Sequence, residues 1–327
     1  MLKIKDILIV GIAVLLAGCS SDDIMTGEGL EVSSISDEWD IKPGDPVAFT
    51  LLPSVKAQTR AKEKDDSFDS YAAIENGYEL TIEMFGTGAV SKGSAVYSIT
   101  GGALNPQTLG SQLYWPDNTQ QYGFKATAGT TTLEADQSNA TNLRNQDRLE
   151  GYAFVPLKNG EDLLYDKNNL NYMTSKEWKA ANVTFGEIGD NQKKIPLYLE
   201  HKRAKITIIL KAGAGVERST LATASNITMK IYSYQGSTTT EITPCASAAT
   251  VDYTDSDPGG AAAGVATTKY EAIVEPFNYQ TEDKSIARIT LTTPNKTFTY
   301  KPSNGTGAYN LTAGQHLTIT ITLTTTN

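Results

Sequence analysis

Cys19 is the residue whose neighbours point most directly to a reaction. It follows Leu16-Ala17-Gly18, small residues that open the backbone to a processing peptidase, and its thiol is placed to take a diacylglycerol. Upstream, Lys3 and Lys5 precede an apolar stretch, Ile7 to Ala17, interrupted by Gly11. A run of that length is too short to span a bilayer and has the form of a signal-peptide core. Residues 16–19 match the bacterial lipoprotein box. The sequence therefore predicts a signal peptide over 1–18 and lipidation of Cys19, several acyl chains on one residue holding far more firmly than one. The acidic Ser20-Ser21-Asp22-Asp23 that follows is similar to the signal that sends some lipoproteins to the outer face of the outer membrane.

Elsewhere the chemistry is sparse. The two histidines, His201 and His316, lie far apart, and no His-Glu-x-x-His, Gly-x-Ser-x-Gly or phosphate-binding glycine loop occurs. Both histidines sit at strand ends and read as packing residues. A glycosidase needs only two facing carboxylates, but no pair stands out among the 37 acidic residues. Asp252, Asp255 and Asp257 share one loop with oxygen ligands of the type calcium takes, yet without the EF-hand spacing, so a solvated turn is the better reading. Cys245 is the one cysteine besides Cys19, which leaves no partner for an intramolecular disulfide and no cysteine-based zinc site. The expectation is no enzyme, no cofactor and no metal. The net charge of −9 makes nucleic acid and anionic lipid surfaces unsuitable partners.

The elements that must carry this chain are strands. Leu317-Thr318-Ile319-Thr320-Ile321-Thr322-Leu323-Thr324 alternates without a break, which puts Leu317, Ile319, Ile321 and Leu323 on one buried face. Further strands are predicted at 45–52, 79–85, 95–99, 122–126, 205–211, 227–234, 270–274 and 286–292. Helical pattern is confined to short turns near 71–75 and 175–180. Polar stretches at 19–29 and 58–69 read as a tether and a charged loop, and the glycine- and alanine-rich 258–268 as a mobile loop. Many short strands between turn clusters point to an all-β chain of two sandwiches, divided near Ile195–Lys202. The segments are then 1–18 signal peptide, 19–29 lipidated tether, 30–196 N-terminal sandwich and 197–327 C-terminal sandwich.

Three segments together resemble a known family. Tyr114-Trp115-Pro116 with Tyr122-Gly123-Phe124-Lys125-Ala126 looks like the Trp-Pro, aromatic-x-aromatic-x-Ala strand pair of fimbrillin-like lipoproteins. Ile195 to Ile206, containing His201-Lys202-Arg203-Ala204-Lys205, is similar to their strand leading into His-x-x-Ala-Lys. The end of the chain, from Tyr300 through Tyr309-Asn310-Leu311 and Ala313-Gly314-Gln315 to the final strand, resembles theirs again. The resemblance implies two tandem transthyretin-like β-sandwich domains after a lipoprotein signal peptide, and a structural subunit of a type V pilus of Gram-negative anaerobes. Its partners would be other fimbrial subunits, the outer membrane through the lipid, and a host or bacterial surface ligand.

In that family a surface protease cuts after an arginine, the first strand leaves, and a neighbour's strand fills the gap. Arg60-Ala61, in the charged 58–69 loop, fits the cut, and Arg60 is the only arginine before Arg144. The strand at 45–52 would leave, and Leu317, Ile319, Ile321 and Leu323 would be the donor strand. Few residues follow that strand, which leaves room for a tip rather than a stalk role. The alternative is a monomeric outer-surface lipoprotein that binds glycan or mediates adhesion, with Trp39 or Trp178 as stacking platforms.

Overall fold

The computed structural model describes residues 41–51, 77–100, 103–153, 169–178, 194–280, 283–293, 295–302 and 309–325. Cys19, Arg60, Ala61, Trp39 and the turn at 71–75 lie outside them. The chain is all-β. Seven strands, β1 (Ala48–Leu51), β2 (Glu79–Gly86), β3 (Val90–Thr100), β4 (Ala103–Pro106), β5 (Tyr122–Ala128), β6 (Leu149–Ala153) and β7 (Lys194–His201), form one sheet in the order β1-β7-β6-β5-β2-β3-β4. One short helix, α1 (Ala140–Gln146), joins β5 to β6, its N-terminus capped by the Asn139 side chain accepting from the Asn142 N–H.

Alternation drives these strands into place. Leu80, Ile82 and Met84 of β2, and Tyr122, Phe124 and Ala126 of β5, turn one face inward and are almost wholly buried. With Val47 just before β1, and Phe49 and Leu51 on it, they build one hydrophobic core that also takes in Trp115, Trp178, Ile195, Leu197 and Leu199.

A second core begins at Ala204. Here β8 (Ala204–Ala212), β9 (Ile227–Gln235), β10 (Thr238–Ile242), β11 (Cys245–Tyr253), β12 (Ala262–Val274), β13 (Phe277–Asn278), β14 (Ala287–Leu291), β15 (Lys296–Tyr300), β16 (Asn310–Leu311) and β17 (His316–Leu323) pair up. They form two four-stranded sheets, β10-β9-β14-β15 and β11-β12-β8-β17, and a small β13-β16 pair. The expected mobile loop at 258–268 is a correction: only the turn before Ala262 is loop, and residues 262–268 are the first half of β12, hydrogen-bonded to β11. Ala and Gly carry little strand propensity of their own, so the partner strand decides their conformation.

Between the cores the backbone passes directly from β7 into β8 through a bend at Lys202-Arg203. Arg203 is buried at this joint. Its Nε donates to Glu275 at 2.8 Å, and its two terminal nitrogens to the Gln146 carbonyl at 2.7 Å and the Thr131 carbonyl at 3.0 Å. Gln137 adds a reciprocal pair with the Ile273 backbone, at 2.9 and 2.7 Å, and the Lys202 N–H donates to the Arg148 carbonyl at 2.8 Å.

Candidate functional site

The first strand is the element held in the least ordinary way. β1 runs parallel to β7 at the end of the sheet, Ala48 opposite Lys194 through Leu51 opposite Leu197. Just upstream its other edge is gripped by residues 113–115: the Val47 N–H donates to the Leu113 carbonyl, the Gly44 N–H to that of Trp115, and the Trp115 N–H to that of Asp45, all at 2.8–3.0 Å. Residues 44–51 thus lie in a slot between β7 and the 113–115 segment. Pro46, which has no N–H, takes the bridge position opposite Tyr114.

The floor of the slot is apolar. Val47, Phe49 and Leu51 are 2, 4 and 6 % exposed, while Ala48 and Thr50 face outward and are half-buried. Burying side chains of this size stabilises by about 1.5–3 kcal/mol each, whereas the strand itself contributes a ladder of only four residues to β7. Apolar contact therefore holds it together with that ladder and the three hydrogen bonds to residues 113–115.

Phe49 sits at the centre of an aromatic chain. Its ring meets Tyr97 edge-on at 5.5 Å and Phe124 at 5.2 Å, and Phe124 in turn meets Trp115 at 5.7 Å and Trp178 at 6.0 Å. The rings are pinned from behind. The Trp178 indole N–H donates to the Tyr122 carbonyl at 2.8 Å, and the Leu113 N–H donates to the Tyr97 hydroxyl at 3.1 Å. The Tyr122 hydroxyl donates to Asp117 at 2.5 Å; burial first, and that bond second, push its pKa up to about 12, while the same bond lowers the Asp117 carboxyl. Trp178 is buried in this wall, so the sequence-based idea of it as a sugar platform is overturned.

The expected donor residues lie elsewhere. Ile319, Ile321 and Leu323 are buried in the second core and Leu317 packs against it, on β17, which runs parallel to β8 from His316 opposite Lys205 to Leu323 opposite Ala212. β1 and β17 are thus alike: short-period alternating strands, each parallel to one half of the continuous β7–β8 run.

The other chemistry-bearing residues are structural. His201 Nδ1 lies 2.7 Å from Asp147, whose second oxygen accepts from the Tyr78 hydroxyl at 2.6 Å. This looks like the base-and-orienter half of a hydrolase triad, but both partners are buried beyond reach of a substrate. His316 Nε2 meets Thr207 Oγ1 at 2.8 Å. In the turn after β11, Asp257 pairs with Lys211 at 2.8 Å and accepts from the Thr254 N–H, while Asp252, expected in the same loop, lies on β11 and accepts from the Gly264 N–H. The Lys211 hydrogen bond chiefly holds Asp257 down at a pKa of about 2. No group of three or more potential metal ligands occurs among the described residues. Cys245 is a free thiol on β11, half-buried, and burial raises its pKa.

The sequence also matches the model of a family described as fimbrillin-like over residues 57–327. The chain belongs to the fimbrillin-like family. This fimbrillin-like protein is similar to several solved structures. A candidate cell adhesion protein from Bacteroides uniformis is 18% identical, with 85% of this chain and 93% of that one covered and a TM-score of 0.47. A candidate cell adhesion protein from Bacteroides fragilis is 14% identical over 88% and 94%, with a TM-score of 0.43. The fimbrial anchor protein Mfa2 from Porphyromonas gingivalis is 12% identical over 86% and 90%, with a TM-score of 0.36. No curated protein matches the sequence. In this fimbrillin-like protein, Trp115, Tyr122 and Phe124, the residues that carry the resemblance, form the wall behind Phe49, and His201 to Lys205 spans the joint. The roles of the 113–115 edge and of Tyr97 are not evident in the sequence; the Tyr-Trp-Pro segment holding that edge is the one signal that points to them.

Proposed function

We propose that this fimbrillin-like protein is a structural subunit, stalk or tip, of a surface fimbrium, exported as a lipoprotein anchored to the outer membrane through Cys19. Cleavage after Arg60, before Ala61, releases the segment that carries β1. The emptied slot presents the unpaired edges of β7 and residues 113–115 above an apolar floor, and a strand from another subunit fills it. This chain's β17, with Leu317, Ile319, Ile321 and Leu323, is in turn the strand it donates. The observation that supports this most is the hold on residues 44–51: an edge segment with four ladder residues, three hydrogen bonds to residues 113–115 and the buried side chains of Val47, Phe49 and Leu51 is detachable in a way that a central strand is not.

Limited cleavage of the intact purified chain with an arginine-specific protease tests the reading. Mass spectrometry should find the first cut between Arg60 and Ala61, followed, once the cleaved chain is mixed with the other fimbrial subunits, by ladders that survive SDS on a gel. A clean cut without ladders would assign a tip or accessory role. A chain that stays whole at Arg60 while other arginines are cut would overturn the mechanism.

A further inference from the structure

We infer that the slot vacated by β1 selects an incoming strand with an aromatic residue at its centre, and that its natural occupant is an apolar-x-aromatic-x-apolar segment of a different subunit rather than β17 of a second copy. Resting on the strand-exchange reading, this names the partner that the same slot takes.

The resident strand is the template. Val47, Phe49 and Leu51 fill three successive floor positions, and the middle one is the largest and the most specifically shaped. Two rings meet Phe49 edge-on, Tyr97 at an interplanar angle of 82° and Phe124 at 75°, an arrangement that attracts an aromatic ring and offers an aliphatic side chain contact alone. Those walls cannot close on a smaller occupant. Phe124 is locked between Trp115 and Trp178, and Tyr97 is held through its hydroxyl by the Leu113 N–H. A packed interior that cannot relax keeps the void that a smaller side chain leaves.

Against that template β17 fits poorly. Its apolar residues are Leu317, Ile319, Ile321 and Leu323. Two registers place three of them on the floor, and in both the middle residue is isoleucine, Ile319 or Ile321. Isoleucine is smaller than phenylalanine, branched at Cβ and stiff in its first torsion, so it neither fills the pocket nor meets the two ring edges. The flanking positions, occupied by Val47 and Leu51, would accept either register. The discrimination therefore lies in one pocket, and it disfavours a filament made of this chain alone.

Fluorescently labelled peptides read this out on the intact chain after arginine-specific cleavage, by anisotropy at equilibrium. The peptides are the resident strand, residues 44–51; the same strand with Phe49→Ile; the β17 sequence, residues 317–323; and β17 with Ile319→Phe or Ile321→Phe. All compete with the same released segment, so ratios of Kd between them are independent of it. The expected result is that Phe49→Ile weakens binding by about tenfold, and that one of the two phenylalanine forms of β17 binds about tenfold tighter than β17 itself. Equal affinities across the aromatic and isoleucine peptides would overturn the selectivity while leaving strand exchange intact. Binding of no peptide to the cleaved chain would remove strand exchange and the inference with it. The uncleaved Arg60→Gln chain, its strand still tethered, should bind none.

Discussion

Arg203→Met tests the rigidity of the joint between the cores. The substitution keeps most of the apolar stem and removes the guanidinium, whose side chain is 1% exposed against 18% for its partner Glu275. Breaking a buried ion pair from one side costs about 3–5 kcal/mol, because the remaining charge stays desolvated. Glu275 retains some contact with water, which favours the lower end. The Gln146 and Thr131 carbonyls each lose a donor as well, at roughly 1 kcal/mol apiece. About 5 kcal/mol is therefore expected in all, and at roughly 2 °C per kcal/mol for a chain of this size the melting temperature should fall by about 10 °C. Differential scanning calorimetry is the assay. The wild-type endotherm should be single because the joint couples the cores, and the variant's should broaden or split. A double-mutant cycle with Glu275→Gln should give a coupling above about 1 kcal/mol. A variant that melts within about 2 °C of wild type, as one transition and with no coupling, would refute the reasoning.

Three further outcomes are expected. Gly151→Ala should abolish folding or cost roughly 3 kcal/mol or more, since the added Cβ would run into the Tyr198 carbonyl across the β6–β7 ladder; circular dichroism of the purified variant decides it. Asn139→Ala should cost about 1 kcal/mol by uncapping α1, measured by urea denaturation with an unchanged m-value. Asp257 has a folded-state pKa of about 2 against an ordinary 3.8, so the stability it lends is present above pH 3.8 and is lost as pH falls from about 4 toward 2. Thermal melts across pH 2–5 should show that loss, and Asp257→Asn should remove that part of the slope; an unchanged slope in the variant would dissociate Asp257 from it.

Strands with strong period-two patterning are legible from the residues alone. Residues 317–324 and 79–85 announce one apolar face each, and the observed β17 and β2 follow them to within a residue or so. The pattern fades where side chains are small or the strand is short. The Ala-Ser-Ala-Ala run of β11 and the Ala-Gly half of β12 are strands because they pair with each other, and nothing in their composition announces that. α1 presents only Gln146 to the interior, so no apolar helical stripe exists to be read. For the candidate site, the residues are visible in the sequence but their relations are not. Trp115, Tyr122 and Phe124 stand out, yet the parallel pairing of β1 with β7 joins segments separated by most of the first core. Arg203 likewise reads as one more cation in Lys202-Arg203-Ala204-Lys205, because its importance comes from carbonyls that lie 57 and 72 residues away.

The parallel setting of β1 on β7, and of β17 on β8, has a mechanical meaning. A strand pulled along its own axis beside a parallel neighbour loads its whole ladder together, in shear, whereas a hairpin pulled at its open end parts one bond at a time. Because β7 continues as β8 through a single stretch of backbone, a load applied beside one of them passes to the other along covalent bonds. Whatever strand lies in the slot is thus attached in the direction in which such a fold is hardest to peel apart.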